Sequence, residues 1–135
     1  MTQASTSTLE ERLTQETEML LARHSFSDFL PFVRILEPPP GRGPIPFESW
    51  PHLVDLAHIL GDNRLVVVLK ARQVGVSWLL SAYALWTALY HDGAVVLMLS
   101  KGQDEAATLL DKCRFILAEL PPFLQAKVGV TNRSE

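Results

Sequence analysis

Two runs of consecutive aliphatic residues organise the middle of this chain: residues 65–69 (Leu-Val-Val-Val-Leu) and residues 94–99 (Ala-Val-Val-Leu-Met-Leu). Runs this short, valine-rich and apolar at every position predict strands buried on both faces, as in a parallel sheet. Between them the character changes. Residues 77–90 are apolar nearly all round, which predicts a buried helix, and His91-Asp92-Gly93 ends it. After the second run, Ser100 and Gln103 have capping-box spacing for a further helix. Its stripe is Leu109, Leu110, Cys113, Ile116, Leu117 and Leu120, and Pro121-Pro122 stops it.

Upstream the pattern is helical too. Ser49 is placed as the N-cap of a helix over 50–60, with Leu53, Leu56, Ala57 and Leu60 on one face, and Gly61-Asp62-Asn63 turns the chain into the first run. Residues 1–7 read as a polar tail, and Thr8-Leu9-Glu10-Glu11 has capping-box spacing for a helix from about Leu9 to Arg23. Its stripe of Leu9, Leu13, Leu20 and Leu21 is thin and must pack on something else. Phe26, Phe29, Phe32 and Ile35 suggest a second, short apolar element interrupted by Pro31. Residues 38–44 (Pro-Pro-Pro-Gly-Arg-Gly-Pro) form a stiff linker that neither helix nor strand tolerates.

Strand, loop, helix, strand, helix is a βαβ unit. The fold class expected is therefore α/β, a parallel sheet with flanking helices, incomplete, and preceded by a helical N-terminal segment. Residues 1–44 form the tail, helix and linker, and residues 45–135 the first part of the α/β domain. The polar ending Thr131-Asn132-Arg133-Ser134-Glu135 resembles an arbitrary stop, so the chain is read as the N-terminal part of a larger protein.

Composition narrows this picture only slightly. With 135 residues, 47% hydrophobic and 20% charged, the chain is of the globular class and makes one modest domain at most. A formal net charge of −3 gives no global basic field, which counts mildly against nucleic acid because a basic groove can sit on another domain. The lone Cys113 allows no disulfide within the chain and fits a reducing cytosol. The N-terminus is Thr/Ser-rich and then acidic, without the basic-then-apolar order of a signal peptide. The longest mostly apolar stretch, residues 79–90, is too short to span a bilayer and holds Ser81 and Thr87.

The candidate chemistry lies where the first run turns into its helix. Against the phosphate-loop pattern G-x-x-x-x-G-K-[ST], Gly75 takes the second glycine, Lys70 the first, Val76 the lysine and Ser77 the metal-binding hydroxyl. The chemistry needs backbone amides around the phosphates, one side-chain cation and one hydroxyl for magnesium. The amides survive any substitution that keeps the turn, and Ser77 supplies the hydroxyl. The cation is missing from its usual place, but Lys70 and Arg72 stand at the start of the loop. An ordinary strand-to-helix crossover through glycine gives a similar string. Two cations at the C-terminal edge of a buried strand favour the phosphate reading, because they are expensive to bury without an anion, and that edge is where open α/β sheets bind ligands.

The stretch Lys70-Ala71-Arg72-Gln73-Val74-Gly75-Val76-Ser77 resembles the deviant Walker A loop of tailed-bacteriophage large terminase subunits, the ATPases that pump DNA into capsids. In that family a cation is followed by Arg-Gln-x-Gly, a variable residue, and Ser or Thr. The resemblance extends over about residues 45–120. Phe47-Glu48-Ser49-Trp50-Pro51-His52 takes the place of the family's adenine-contacting segment, with His52 where a glutamine is expected. Residues 95–107 look like the second strand and the start of its helix. The resemblance implies a P-loop NTPase fold, ATP and Mg2+ at residues 70–78, and an ATPase that couples hydrolysis to translocation of double-stranded DNA. It also implies a portal and a small terminase subunit as partners, a homo-oligomeric ring on the capsid, no membrane, and a place in the cytoplasm of the bacterial host.

In this reading Arg72 and Lys70 are the catalytic cations, Ser77 the magnesium ligand, and Trp78 the end of the loop. Arg72 is the cation that compensates for Val76 or a surface arginine; Ser77 ligates metal, caps the helix, or does both. Phe47 and Trp50 either stack on adenine or pack in a core, and His52 is an adenine contact or a helix-surface histidine. Asp55 and His58 lack the companions a zinc site needs. Cys113, Trp78 and Trp86 are read as packing residues. The acidic motif that would hold magnesium and orient the attacking water is missing between Ser100 and Glu135, since Asp104, Glu105 and Asp111 fall on a helix. The chain alone is therefore expected to hydrolyse ATP weakly or not at all. The alternatives are another helicase-like translocase, for which a conventional Gly-Lys-Thr loop is expected, and a nucleotide-binding module that does not hydrolyse.

Overall fold

The computed structural model describes residues 3–37, 41 and 43–125. Residues 1–2, the linker residues Pro38, Pro39, Pro40 and Arg42, and residues 126–135 lie outside the described residues. Helix α1 (Gln3–His24) leads into α2 (Phe26–Phe29), a 3-10 turn (Leu30–Phe32), and the strands β1 (Arg34–Ile35) and β2 (Ile45–Pro46). Helices α3 (Pro51–Asp62), α4 (Val76–Tyr90) and α5 (Gln103–Glu119) follow.

The later helices form where their periodicity dictates, but α5 is capped by Gly102 without a side-chain hydrogen bond, not by the expected Ser100. Pro51 opens α3 at a position that needs no N–H, and its face Leu53, Leu56, Ala57 is buried. Trp50, not Ser49, is the N-cap, and no side chain caps this end. Helix α4 buries residues round much of its circumference, including Leu79, Ala82, Leu85 and Trp86. Helix α5 buries Cys113 and Ile116, with Leu120 just beyond its end, while Leu110 of the expected stripe is exposed. The core is aromatic where α2 meets α4. Phe26 meets Tyr83 edge-on at 5.0 Å and Trp86 at 5.7 Å, and Phe29 meets Tyr90 edge-on at 5.9 Å.

Three sequence expectations come out differently. Helix α1 starts at Gln3, inside the expected polar tail. Its leucines Leu9, Leu13, Leu20 and Leu21 are exposed; Ala22 and Met19 make its contact with the core, and Trp86 Nε1–H donates to Ala22 O at 2.8 Å. A helix satisfies its own backbone, so it stands even where its apolar stripe has nothing to cover it.

The second difference is the small pairing of β1 with β2, antiparallel, with Arg34 opposite Pro46 and Ile35 opposite Ile45. Strands of two residues leave no alternation to read in a sequence.

The third concerns the sheet. Residues 65–69 and 94–99 make no ladder with any strand, so the expected parallel sheet is not formed among the described residues. Both runs nevertheless alternate. Val66 and Met98 pack against the helical core, while Leu65, Val67, Leu69, Val95, Leu97 and Leu99 are 82–101% exposed. The alternation has a period of two, but neither run pairs with a strand among the described residues.

Behind these runs the interior holds two groups of note. The Cys113 thiol donates to Ser81 O at 3.3 Å, and burial pushes its pKa up. The Ser81 hydroxyl is buried and has no hydrogen-bond partner among the described residues. No described helix is long and apolar enough to cross a membrane.

Candidate functional site

The loop between the first run and α4 is shaped by two left-handed residues. Gln73 has φ 57°, and Gly75, the N-cap of α4, has φ 80°. Glutamine adopts this region at a cost; glycine does so freely. Gly75 is constrained a second way: a Cβ there would stand 3.0 Å from Leu53 Cδ1. Leu53 is buried in the first turn of α3, so that turn backs directly onto the loop.

Its neighbour His52 fixes the loop from the same side. His52 Nε2–H donates to the Val74 carbonyl at 2.9 Å. The side chain considered from the sequence as an adenine contact is thus engaged with the loop's own backbone. Trp50 lies beside it, ring centroids 5.6 Å apart.

Beyond Gly75 the helix begins without a side-chain cap. Leu79 N–H is the first amide taken up, by Gly75 O at 3.0 Å, and the amides of Val76, Ser77 and Trp78 have no backbone partner among the described residues. Unpaired amides at the positive end of a 15-residue helix attract anions. They border a cavity of about 540 Å³. Lys70, Gln73, Val74, Gly75, Val76, Ser77 and Trp78 line it from the loop side, and Phe47, Glu48, Trp50 and Leu53 from the segment leading into α3.

The structure therefore brings together most of the residues singled out in the sequence. Three are placed differently. Ala71 and Arg72 do not line the cavity, and both are exposed; His52 stands behind the loop. Of the two loop cations, Lys70 lines the cavity, and its Nζ also donates to Ala71 O at 3.3 Å. Phe47 is buried and belongs to the core, whereas Trp50 is 44% exposed at the cavity's rim. Val76 sits in the core at 4% exposure, so the position of the conventional lysine is taken up by packing.

Residues that sequence reasoning passed over also line the cavity. Glu37 and Glu48 contribute carboxylates, and Lys112 contributes an ammonium from α5. A lysine on a helix surface so far along the chain carries no local signal that it returns to the loop. Among the described residues no cluster of His, Cys, Asp or Glu could hold a metal ion. Magnesium bound with a triphosphate needs little more than one hydroxyl from the protein, with phosphate oxygens and waters completing its shell. Ser77, half-buried at the cavity wall, fits that demand. Set beside protein-family models, curated proteins and solved structures, the chain matches none of them.

Proposed function

We propose that residues 70–77 are a phosphate-binding loop and that the chain is the nucleotide-binding part of an ATPase of the large-terminase kind. The observation that carries the reading is the open N-terminus of α4. Val76, Ser77 and Trp78, whose amides have no backbone partner among the described residues, line a cavity together with Lys70 and Trp50. The amides cradle the β- and γ-phosphates, Lys70 offsets their charge, and Trp50 offers a face to the base. Ser77 would hold the magnesium ion, which on binding neutralises phosphate charge. The two aliphatic runs belong to the same proposal as strands of a parallel sheet whose partners are not among the described residues. Double-stranded DNA as the translocated substrate, portal and small-subunit partners, a ring of copies and the bacterial cytoplasm follow from the family resemblance.

A second reading is nucleotide binding without hydrolysis. Water activation needs a free carboxylate near the γ-phosphate. On α5, Asp111 is paired with Arg114 at 3.0 Å and Glu105 with Lys101 at 3.1 Å, so that role would fall to Glu37 or Glu48 at the cavity, from elements ahead of the loop.

Titration of the full chain with a fluorescent ATP analogue tests the proposal. Saturable binding that ATP and ADP compete away, and AMP does not, is expected of a loop that grips the β-phosphate. No saturable binding, or equal competition by AMP, overturns it. Phosphate release measured on the same preparation separates the two readings: turnover supports the ATPase, and binding without turnover supports the module.

A further inference from the structure

The loop lacks the lysine that usually follows its second glycine, and Val76 occupies that position inside the core. A lysine there would have to leave the core cluster to reach the phosphates. The cavity nevertheless contains a second ammonium besides that of Lys70, and it comes from a different element.

Lys112 stands on α5 next to Cys113, whose buried thiol contact with Ser81 O anchors α5 on α4. The Lys112 Nζ lies 5.2 Å from the ring centroid of Trp78, and Trp78 itself packs edge-on against Phe115 at 6.0 Å. Trp78 directly follows Ser77, so the stack places the ammonium beside the first turn of α4. A second cavity, about 810 Å³ between α4, α5 and residues 95–100, is also bordered by both Ser77 and Lys112. Lys112 thus sits where the two cavities meet at the loop.

Its charge is not committed to a carboxylate. The ion pairs among the described residues are Lys101 with Glu105 and Arg114 with Asp111; Lys112 has the aromatic face alone. A half-buried ammonium held by a ring keeps its hydrogen-bond donors available to an incoming anion. The neighbouring Arg114 is already committed to Asp111 and does not line the cavity.

We infer that Lys112 is the cation that replaces the missing loop lysine, binding the polyphosphate of a nucleoside di- or triphosphate from α5 with Trp78 as its rest position. The inference rests on the phosphate-loop reading and adds to it, beside Lys70, a second source of charge that comes from α5. It also makes α5 part of the nucleotide site: occupancy draws the ammonium off the indole and towards the phosphates.

The test uses the full chain, with a fluorescent ATP analogue as the probe. Lys112→Gln is expected to weaken ATP binding roughly 10- to 100-fold, the usual scale for losing a charged hydrogen-bond donor, and Lys112→Arg to keep most of it. In a Trp50→Phe background, where Trp78 is the tryptophan at the cavity, ATP is further expected to shift the tryptophan emission, and to leave it nearly unchanged once Lys112→Gln is added. Lysine footprinting on the unmutated chain needs no variant: ATP should protect Lys112 from acylation and leave Lys101 as reactive as before. Binding by Lys112→Gln within about twofold of the unmutated chain, or equal labelling of Lys112 with and without ATP, removes Lys112 from the site while leaving the loop reading intact. If the unmutated chain binds no nucleotide, both readings fall together.

Discussion

Helix α4 and the aliphatic run just before it are built from similar residues and meet opposite fates. Leu79 is completely buried, whereas Leu69, ten positions upstream, is fully exposed. Hydrophobicity does not separate them; the source of their backbone hydrogen bonds does. A helix closes its own N–H···O=C ladder and then needs only side-chain packing, which Leu79, Ala82, Leu85 and Trp86 find against neighbouring elements. A strand needs another strand before any of its main-chain groups is satisfied. Residues 65–69 and 94–99 turn one face to the helices and leave the other, together with their backbone edges, without a partner among the described residues. The loop lies at the join between these two kinds of structure. Its C-terminal half is held by α3 and α4, and its N-terminal half emerges from the unpaired run.

The widest gap is expected between substitutions in those two regions. Leu79→Ala should cost about 2–5 kcal/mol in urea denaturation, the range for emptying a packed core position. Leu69→Ala should change stability by no more than about 0.5 kcal/mol. A Leu69→Ala variant that loses as much as Leu79→Ala would mean that the run is covered in solution, and the contrast would collapse. Next in size is Gly75→Ala, which forces a left-handed backbone and brings a methyl 3.0 Å from Leu53 Cδ1. A loss of about 1–3 kcal/mol is expected, with nucleotide binding abolished. Retained binding would show that the loop adapts without α3.

His52→Ala removes one hydrogen bond to the Val74 carbonyl and should cost about 1 kcal/mol. Nucleotide affinity should fall roughly fivefold, and Gln at 52 should restore part of it. An unchanged affinity would assign the contact to packing alone. The smallest effect concerns pH. Burial raises the pKa values of both Cys113 and Tyr90, for Tyr90 against an opposing influence from Arg23. Each group therefore holds its proton more tightly folded than unfolded. The associated stability is complete below the ordinary values of 9.0 and 10.0 and declines as pH rises through the folded-state values. The urea midpoint should stay level up to about pH 9.0 and fall above it, and Cys113→Ala should delay the fall. A midpoint that rises there would contradict the packing of both groups.

How much could be read from the sequence follows the same division. Helices α3, α4 and α5 were legible because local period specifies them and Pro121 marks the end of the last, but the expected caps Ser49 and Ser100 gave way to Trp50 and Gly102. The turn into α4 was legible for the same reason: Gly75 stands directly before the helix and takes the left-handed conformation there. What could not be read depends on distant partners. The exposure of Leu9, Leu13, Leu20 and Leu21 turns on what meets α1, which proved to be Trp86 reaching Ala22. His52 showed its hydrogen-bonding chemistry but not its target. Lys112 was invisible because only the packing of α5 on α4 returns it to the loop.

The contact between Leu53 and Gly75 has a consequence for how this chain can be altered. Because the isobutyl group fills the space a side chain at 75 would need, the two positions form one unit of volume shared between a core and a loop. Enlarging residue 53 is therefore a change to the loop at Gly75 made from behind. Shrinking it frees space at Gly75, although the φ of 80° would still penalise any other residue there. A redesign of α3 intended only to improve packing would retune the loop as well, and libraries at position 53 should be read for nucleotide affinity as much as for melting temperature.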